Sequence, residues 1–295
     1  MRSYSDAHQE IAREWQEFSA ERERAARAAA VAAKYEAQAT QRPESMQPFR
    51  QRMAELHRRI EGRHLACARL HRIHALRLQR WYIGDQATLR PVFMAAVAQH
   101  LGMDSAAVTL FGQTGEELLV SASDRTARAA HDLELLIGEG PARDVLGGRE
   151  FVTANATQLA ARWPHYGPAL TELGVQSVVA VPLLSSRLLG ALCVFTSRAG
   201  LRTEITPAAE KVADALANSV LLASYGTTAD GAPQGTLFDD ADYLAAVHQA
   251  VGMVAVQCSC DLDAAQALLR ARAFADGIAV SELARRILED GYQLC

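Results

Sequence analysis

The sequence predicts an α+β protein in three parts. These are an N-terminal helical, coiled-coil-like arm over residues 1–83, a sheet layered with helices over 84–225, and a C-terminal three-helix module over 240–295, with a linker at 226–239 before it. Three observations predict this. At 295 residues the chain exceeds one ordinary compact domain, and its 49% hydrophobic content is enough for real cores. The apolar periodicity is helical at both ends and alternates between helix and strand patterns in between. The charge also changes by region: Lys and Arg number 16 against 10 Asp and Glu in residues 1–83, 10 against 15 in 84–238, and 4 against 9 in 239–295. Segments of such different electrical character are expected to do different jobs.

In the arm, Ile11, Trp15 and Phe18 step by four and three residues, and the stretch 21–38 is dense in Ala, Arg and Glu, all good helix formers. Pro43 and Pro48 interrupt it. A second helix carries Phe49, Met53, Leu56, Ile60, Cys67 and Leu70 on a heptad-like seam that also includes Arg63. That pattern predicts an amphipathic helix seeking a partner, with a hairpin packed on its own protein as the alternative. In the middle part the patterns predict helix over 88–100, strands over 106–111 and 117–123, helix over 126–135, strands over 150–154, 176–184 and 188–196, and a closing helix over 207–224. The short turn Ser185-Ser186-Arg187 makes the last two strands an antiparallel hairpin. The segment 226–239 lacks periodicity and is rich in Gly, Thr, Ala and Pro, so it reads as a flexible linker. Helices are then expected over 241–257, 262–275 and 280–292, with Gly277 at a chain reversal and Val280, Leu283, Ala284, Ile287 and Leu288 on one apolar face.

The N-terminus has no apolar core of a signal peptide, and no stretch reaches about 18 uninterrupted apolar residues, so a cytoplasmic protein without membrane contact is expected. Five scattered cysteines (Cys67, Cys193, Cys258, Cys260 and Cys295) fit a reducing compartment better than a disulfide framework. Cys258-x-Cys260 has no second pair to complete a zinc site.

The middle segment carries Gly138-Glu139-Gly140-Pro141, Arg162-Trp163-Pro164, Leu173-Gly174-Val175-Gln176-Ser177, Val181-Pro182-Leu183 and Gly190-Ala191-Leu192, and in that order these resemble a GAF domain. The terminal module carries Gln249-Ala250-Val251-Gly252-Met253-Val254, the run from Asp263 through Arg270, Ala273-Phe274, and Val280 with Leu283-Ala284, and it resembles an ANTAR domain. The resemblance implies a GAF-like input, which senses a small molecule or serves as a dimer platform, controlling an output that binds RNA stem-loops. It also implies a homodimer acting in transcription antitermination, as in actinobacterial regulators of this type. Where ANTAR sequences often have Lys before the glycine this chain has Val251, and where they often have a basic pair it has Ile278 and Ala279.

RNA binding needs cations for phosphates and polar or planar groups for unstacked bases. Arg270, Arg272, Arg285 and Arg286, with His248 and Gln249, are the candidates, and Arg270 is expected to project from the packed face. Gly252, Ala265, Leu268 and Leu269 are expected to serve packing or dimerisation. The same helices also fit a helix-turn-helix for DNA, although Glu282, Glu289 and Asp290 would then face phosphates. A third reading is a sensor or scaffold whose acidic terminal helices bind only protein. His131, His165 and Tyr166 are possible linings of a pocket in the middle part, and Cys193 is expected in its core. No nucleophile with a base and no paired carboxylates emerge, so neither an enzyme nor a cofactor is expected. In the arm His57, His64 and His71 recur every seven residues, so His64, Cys67 and His71 could face one ion. The preferred reading there is histidines flanking a packed helix, with no metal.

Overall fold

The computed structural model describes residues 4–84, 89–148, 150–225, 237 and 241–295. Two long helices, α1 (Tyr4–Gln38) and α2 (Gln47–Gly84), form an antiparallel hairpin. Small residues line its seam: Ala25, Ala28 and Ala32 of α1 and Ala54 of α2 are all buried. The surface expected of α2 lies on its own protein, but mainly not on α1: Cys67 packs with Ala215 and Arg63 pairs with Asp214 at 3.9 Å, both on the helix Ile205–Tyr225, while Phe49 meets Tyr35 of α1. This corrects the expectation of an outside partner in favour of a hairpin packed on its own protein. The seven-residue histidine recurrence has the same explanation. His64 Nδ1 lies 2.6 Å from Glu21 Oε2 and His71 Nδ1 lies 2.8 Å from Glu14 Oε2, so seven residues up α2 meet seven residues down α1. His57 stacks on Tyr35. Burial opposes charge on His71, but the Cys67 sulfur and the Glu14 carboxylate outweigh it and raise the imidazole pKa to about 10. A protonated imidazole donates to a carboxylate and cannot ligate a metal. Among the described residues no group of three or more His, Cys, Asp and Glu is arranged to hold an ion.

The middle part is an antiparallel sheet between two layers of helices. Its strands are β1 (Ser105–Phe111), β2 (Glu117–Ala122), β3 (Val152–Ala154), β4 (Ser177–Leu184), β5 (Leu188–Thr196) and β6 (Asp242–Tyr243), in the order β3-β4-β5-β1-β2-β6. Alternation along the strands feeds two cores. Val108, Leu110, Val179, Val181, Leu192 and Val194 face α2, α3 (Phe93–Leu101) and α8 (Ile205–Tyr225). Ala107, Phe111, Val178, Ala180, Cys193 and Phe195 face α4 (Arg125–Ile137), α5 (Pro141–Gly148), α6 (Ala156–Arg162) and α7 (Tyr166–Glu172). Both faces being covered explains why β5 is buried along its whole length. The hairpin of β4 and β5 stands as the sequence predicts.

The terminal module comprises α9 (Ala245–Gln257), α10 (Leu262–Asp276) and α11 (Val280–Glu289). Gly277 closes α10 with φ of 64°, a left-handed conformation that glycine adopts without penalty. The linker expected over 226–239 lies outside the described residues except for Leu237, which is buried in the core on the α8 face of the sheet. Two further features were not expected. The module is stitched to the sheet by β6, where Tyr243 pairs with Leu119 and Asp242 with Val120. Cys258 and Cys295 form a disulfide, which corrects the expectation of unpaired cysteines: α11 ends at Glu289, and the chain beyond it folds back to the end of α9. Cys67 and Cys193 are buried and form no disulfide. No helix among the described residues is long and apolar enough to cross a membrane.

Candidate functional site

The helix α4 carries the chemistry of the middle domain. Asp124 caps its first turn, accepting from the Ala127 amide at 2.9 Å, and its inward face is Ala127, Ala130, His131 and Glu134. Two small residues leave room for two titratable ones, which the fold buries almost completely: His131 and Glu134 are each 4% exposed. Opposite them Glu117, at the start of β2, accepts from His131 Nε2 at 2.9 Å and from an Arg143 guanidinium nitrogen at 2.8 Å. The Arg143 amide donates to Glu134 Oε1 at 2.7 Å.

The charges in this cluster are sorted by their neighbours. Burial pushes the Glu134 carboxyl up to about 8, the Arg143 amide opposing and the Glu117 charge adding to the rise, so it is largely protonated at neutral pH. Burial also works against Glu117, but the His131 hydrogen bond and the charges of His131, Arg143 and Arg270 hold its pKa below the ordinary value. His131 loses to burial and gains more from Asp132 and Glu117, which raise it to about 9. The cluster is thus an ionised Glu117 held between two cations, beside a neutral Glu134. Burial drives the Tyr166 hydroxyl and the Cys193 thiol well above their ordinary values, the Glu134 charge adding to each. Neither is a nucleophile at neutral pH.

The Gly138-Glu139-Gly140-Pro141 motif shapes this cluster. A Cβ on Gly140, whose φ is 154°, would stand 2.4 Å from Glu134 Cδ, so only glycine lets the loop close over that carboxyl. The Glu139 carboxylate accepts from the His165 amide at 3.1 Å and pairs with the His165 ring at 2.8 Å. His165 is exposed, Tyr166 is fully buried and Cys193 sits in the core. Of the expected pocket linings, only His131 takes part in a charged cluster.

The terminal module touches the same cluster. Helices α10 and α11 pack on α4, and Leu135 of α4 belongs to the core that Ala265, Leu269, Leu283 and Ile287 build. Arg270 lies over Gly138, where a Cβ would stand 3.3 Å from one of its terminal nitrogens. Burial lowers its pKa, the Arg143 charge lowers it further and the Glu117 charge opposes both. This corrects the expectation that Arg270 projects free of the packed face: the loop after α4 covers it in part, and it is half-buried.

The other candidates do not join it. Residues two apart on a helix point to different sides, and Arg272 instead pairs with Asp276 at 2.9 Å and lies over the Tyr292 ring. Arg286 pairs with Glu282, Arg285 is exposed with no ion pair among the described residues, and His248 and Gln249 are exposed on α9. Ala265 and Leu269 are buried as expected, but Leu268 is 40% exposed, because neighbours about 100° apart on a helix cannot both face one core. Gly252 is half-buried, and a Cβ there would meet nothing within 4 Å. Glu117, Glu134 and Arg143 were not singled out from the sequence. A signal existed for Glu134, which shares the apolar face of α4 with Ala127 and Ala130.

Residues 87–223 match the GAF domain family, so the layered sheet is a GAF domain. Similar solved structures include a domain ascribed to a two-component sensor histidine kinase protein of Sinorhizobium meliloti 1021, at 20% identity over 45% of this chain and 90% of that one, with a TM-score of 0.35. The photoproduct state of a GAF domain from Synechocystis sp. is similar at 18% identity over 45% of this chain and 93% of that one, with a TM-score of 0.33. A red/green cyanobacteriochrome in its red light-absorbing state is similar at 21% identity over 44% and 92%, with a TM-score of 0.30. No curated protein matches the chain.

Proposed function

We propose that the chain is a noncatalytic, signal-responsive regulator in which the GAF domain controls an ANTAR-like, RNA-binding output acting in transcription antitermination. The observation that carries this reading is Arg270 of α10 held beside Glu117 and Arg143 of the sensor. A residue suited to phosphate contact is half-buried against the domain proposed to receive the signal. A ligand favouring a different placement of α4 shifts the population in which Arg270 is available. Arg285 and the exposed pairs of Arg272 and Arg286 exchange partners for RNA phosphates at little cost. In a homodimer two such modules face a pair of stem-loops.

The test is binding of the full chain to tandem stem-loop RNA across a salt series. Replacing Arg285 and Arg286 with Ala is expected to reduce the salt slope by about two phosphates' worth. Unchanged retention removes the RNA reading, and equal competition by duplex DNA favours the helix-turn-helix. One observation favours a second reading, a protein-binding output: Leu268 and Phe274, the latter 71% exposed, share an outward face of α10 with Ala264, Ala267, Ala271 and Ala275.

A further inference from the structure

A large groove lies away from the output helices, where the arm meets the sheet at the end of β2. It encloses about 1160 Å³ between the end of α2, the segment leading into α3, and the first turn of α4. Its apolar floor is Pro91, Val92, Ala95, Val120 and Ala122, with Trp81 at one wall. Five arginines surround that floor: Arg77, Arg80, Arg90, Arg125 and Arg128.

Among the described residues, carboxylates pair with two of these five arginines and leave three without an ion pair. Among the described lining residues the one acid is Asp124, which accepts from the Ala127 amide and the hydroxyls of Ser105 and Ser123 and offsets one of the five charges. Arg90 pairs with Glu10 and Arg128 with Asp132. Arg77 donates to the neutral Gln99 side chain, and neither it nor Arg80 nor Arg125 has an ion pair among the described residues. Burial and the neighbouring Arg80 charge lower the Arg77 pKa, as expected of cations held together without a counter-charge.

We propose that this groove binds a small organic anion, a phosphate or carboxylate headgroup on an apolar or aromatic body, and that α4 relays its occupancy to the output helices. The floor takes the body, while Arg77, Arg80 and Arg125 take the headgroup in charge-assisted hydrogen bonds. The relay follows from position. The first turn of α4 lines the groove, and about 20 Å further on its last turn packs into the core of α10 and α11. A ligand that binds α2 and α4 together sets their spacing and so bears on the output contact. The inference does not require that the output bind RNA.

The experiment is calorimetric titration of the full chain with adenosine monophosphate and, separately, with decanoate, which distinguishes the two headgroup sources. One saturable site for at least one of them is expected. Arg80→Ala with Arg125→Ala, both exposed positions, should weaken it roughly tenfold or more while leaving the melting temperature unchanged. The Lys double variant should recover part of the loss, and Arg187→Ala, in the distant β4–β5 turn, should have no effect. Saturation should also alter amide exchange in α10 and α11. No saturable binding of either anion, or equal binding by the Ala double variant, overturns the site. Binding of single-stranded RNA that depends on Arg80 and Arg125 while both small anions are inert also overturns it, and ligand binding without a change in α10 and α11 overturns the relay.

Discussion

Replacing Glu134 with Gln tests the charge assignment in the buried cluster. The carboxyl has a pKa of about 8 in the fold against 4.5 when exposed, so folding favours its protonated form. For an acid shifted upward, the native contribution is highest below the unfolded value. It then declines by about 1.4 kcal/mol per pH unit as the unfolded chain ionises and the native one does not. The decline reaches about 3 kcal/mol by pH 7 and levels off above about pH 8. The amide of Gln keeps an oxygen for the Arg143 amide and cannot ionise, so Glu134→Gln removes this decline. At pH 7 the variant should be more stable than the parent by up to about 3 kcal/mol, and the two should converge towards pH 4.5. Urea unfolding midpoints at a constant slope, taken between about pH 5 and 8, measure the difference. His131 also loses stabilisation between its unfolded value of 6.5 and about 9 as pH rises, but it does so in both proteins and cancels in the comparison. Parallel pH profiles for parent and variant would refute the assignment of a neutral Glu134.

Three further outcomes are expected. Gly140→Ala drives a methyl into Glu134 and should cost about 2 kcal/mol or more in urea unfolding, and a loss below about 0.5 kcal/mol would contradict the close approach. Cys295→Ser opens a bridge between residues 37 apart in sequence and should lower the stability of the terminal module by up to about 4 kcal/mol, matching reduction of the parent by dithiothreitol. Identical melting of the variant and the oxidised parent would show that the bridge does not form in solution. Arg270→Ala should raise amide exchange in α10, α11 and the last turn of α4 while leaving β1 and β5 unchanged, and a uniform rise would mean that Arg270 serves global stability rather than docking.

The sequence alone determined what depends on neighbours along the chain. Periodicity placed the arm helices, the strands β1 to β5 and the three terminal helices, because burial on one face imposes a repeat that survives as pattern, while β6 was read as part of a helix. The glycine-bearing signatures marked the GAF domain, and Gly277 marked the turn before α11. What no local pattern holds is which surface covers which. The arm's sequence carried no label saying that α2 packs against both α1 and α8, and nothing in the histidine recurrence said that Glu14 and Glu21 would stand opposite it. Arg270 looked free because α4 is far away in sequence, and the Cys258–Cys295 bridge depended on a tail that folds back. Glu117, His131, Glu134 and Arg143 are ordinary surface residue types. Only burial between β2, α4 and α5 couples their charges, because water no longer screens them once the sheet and helices close.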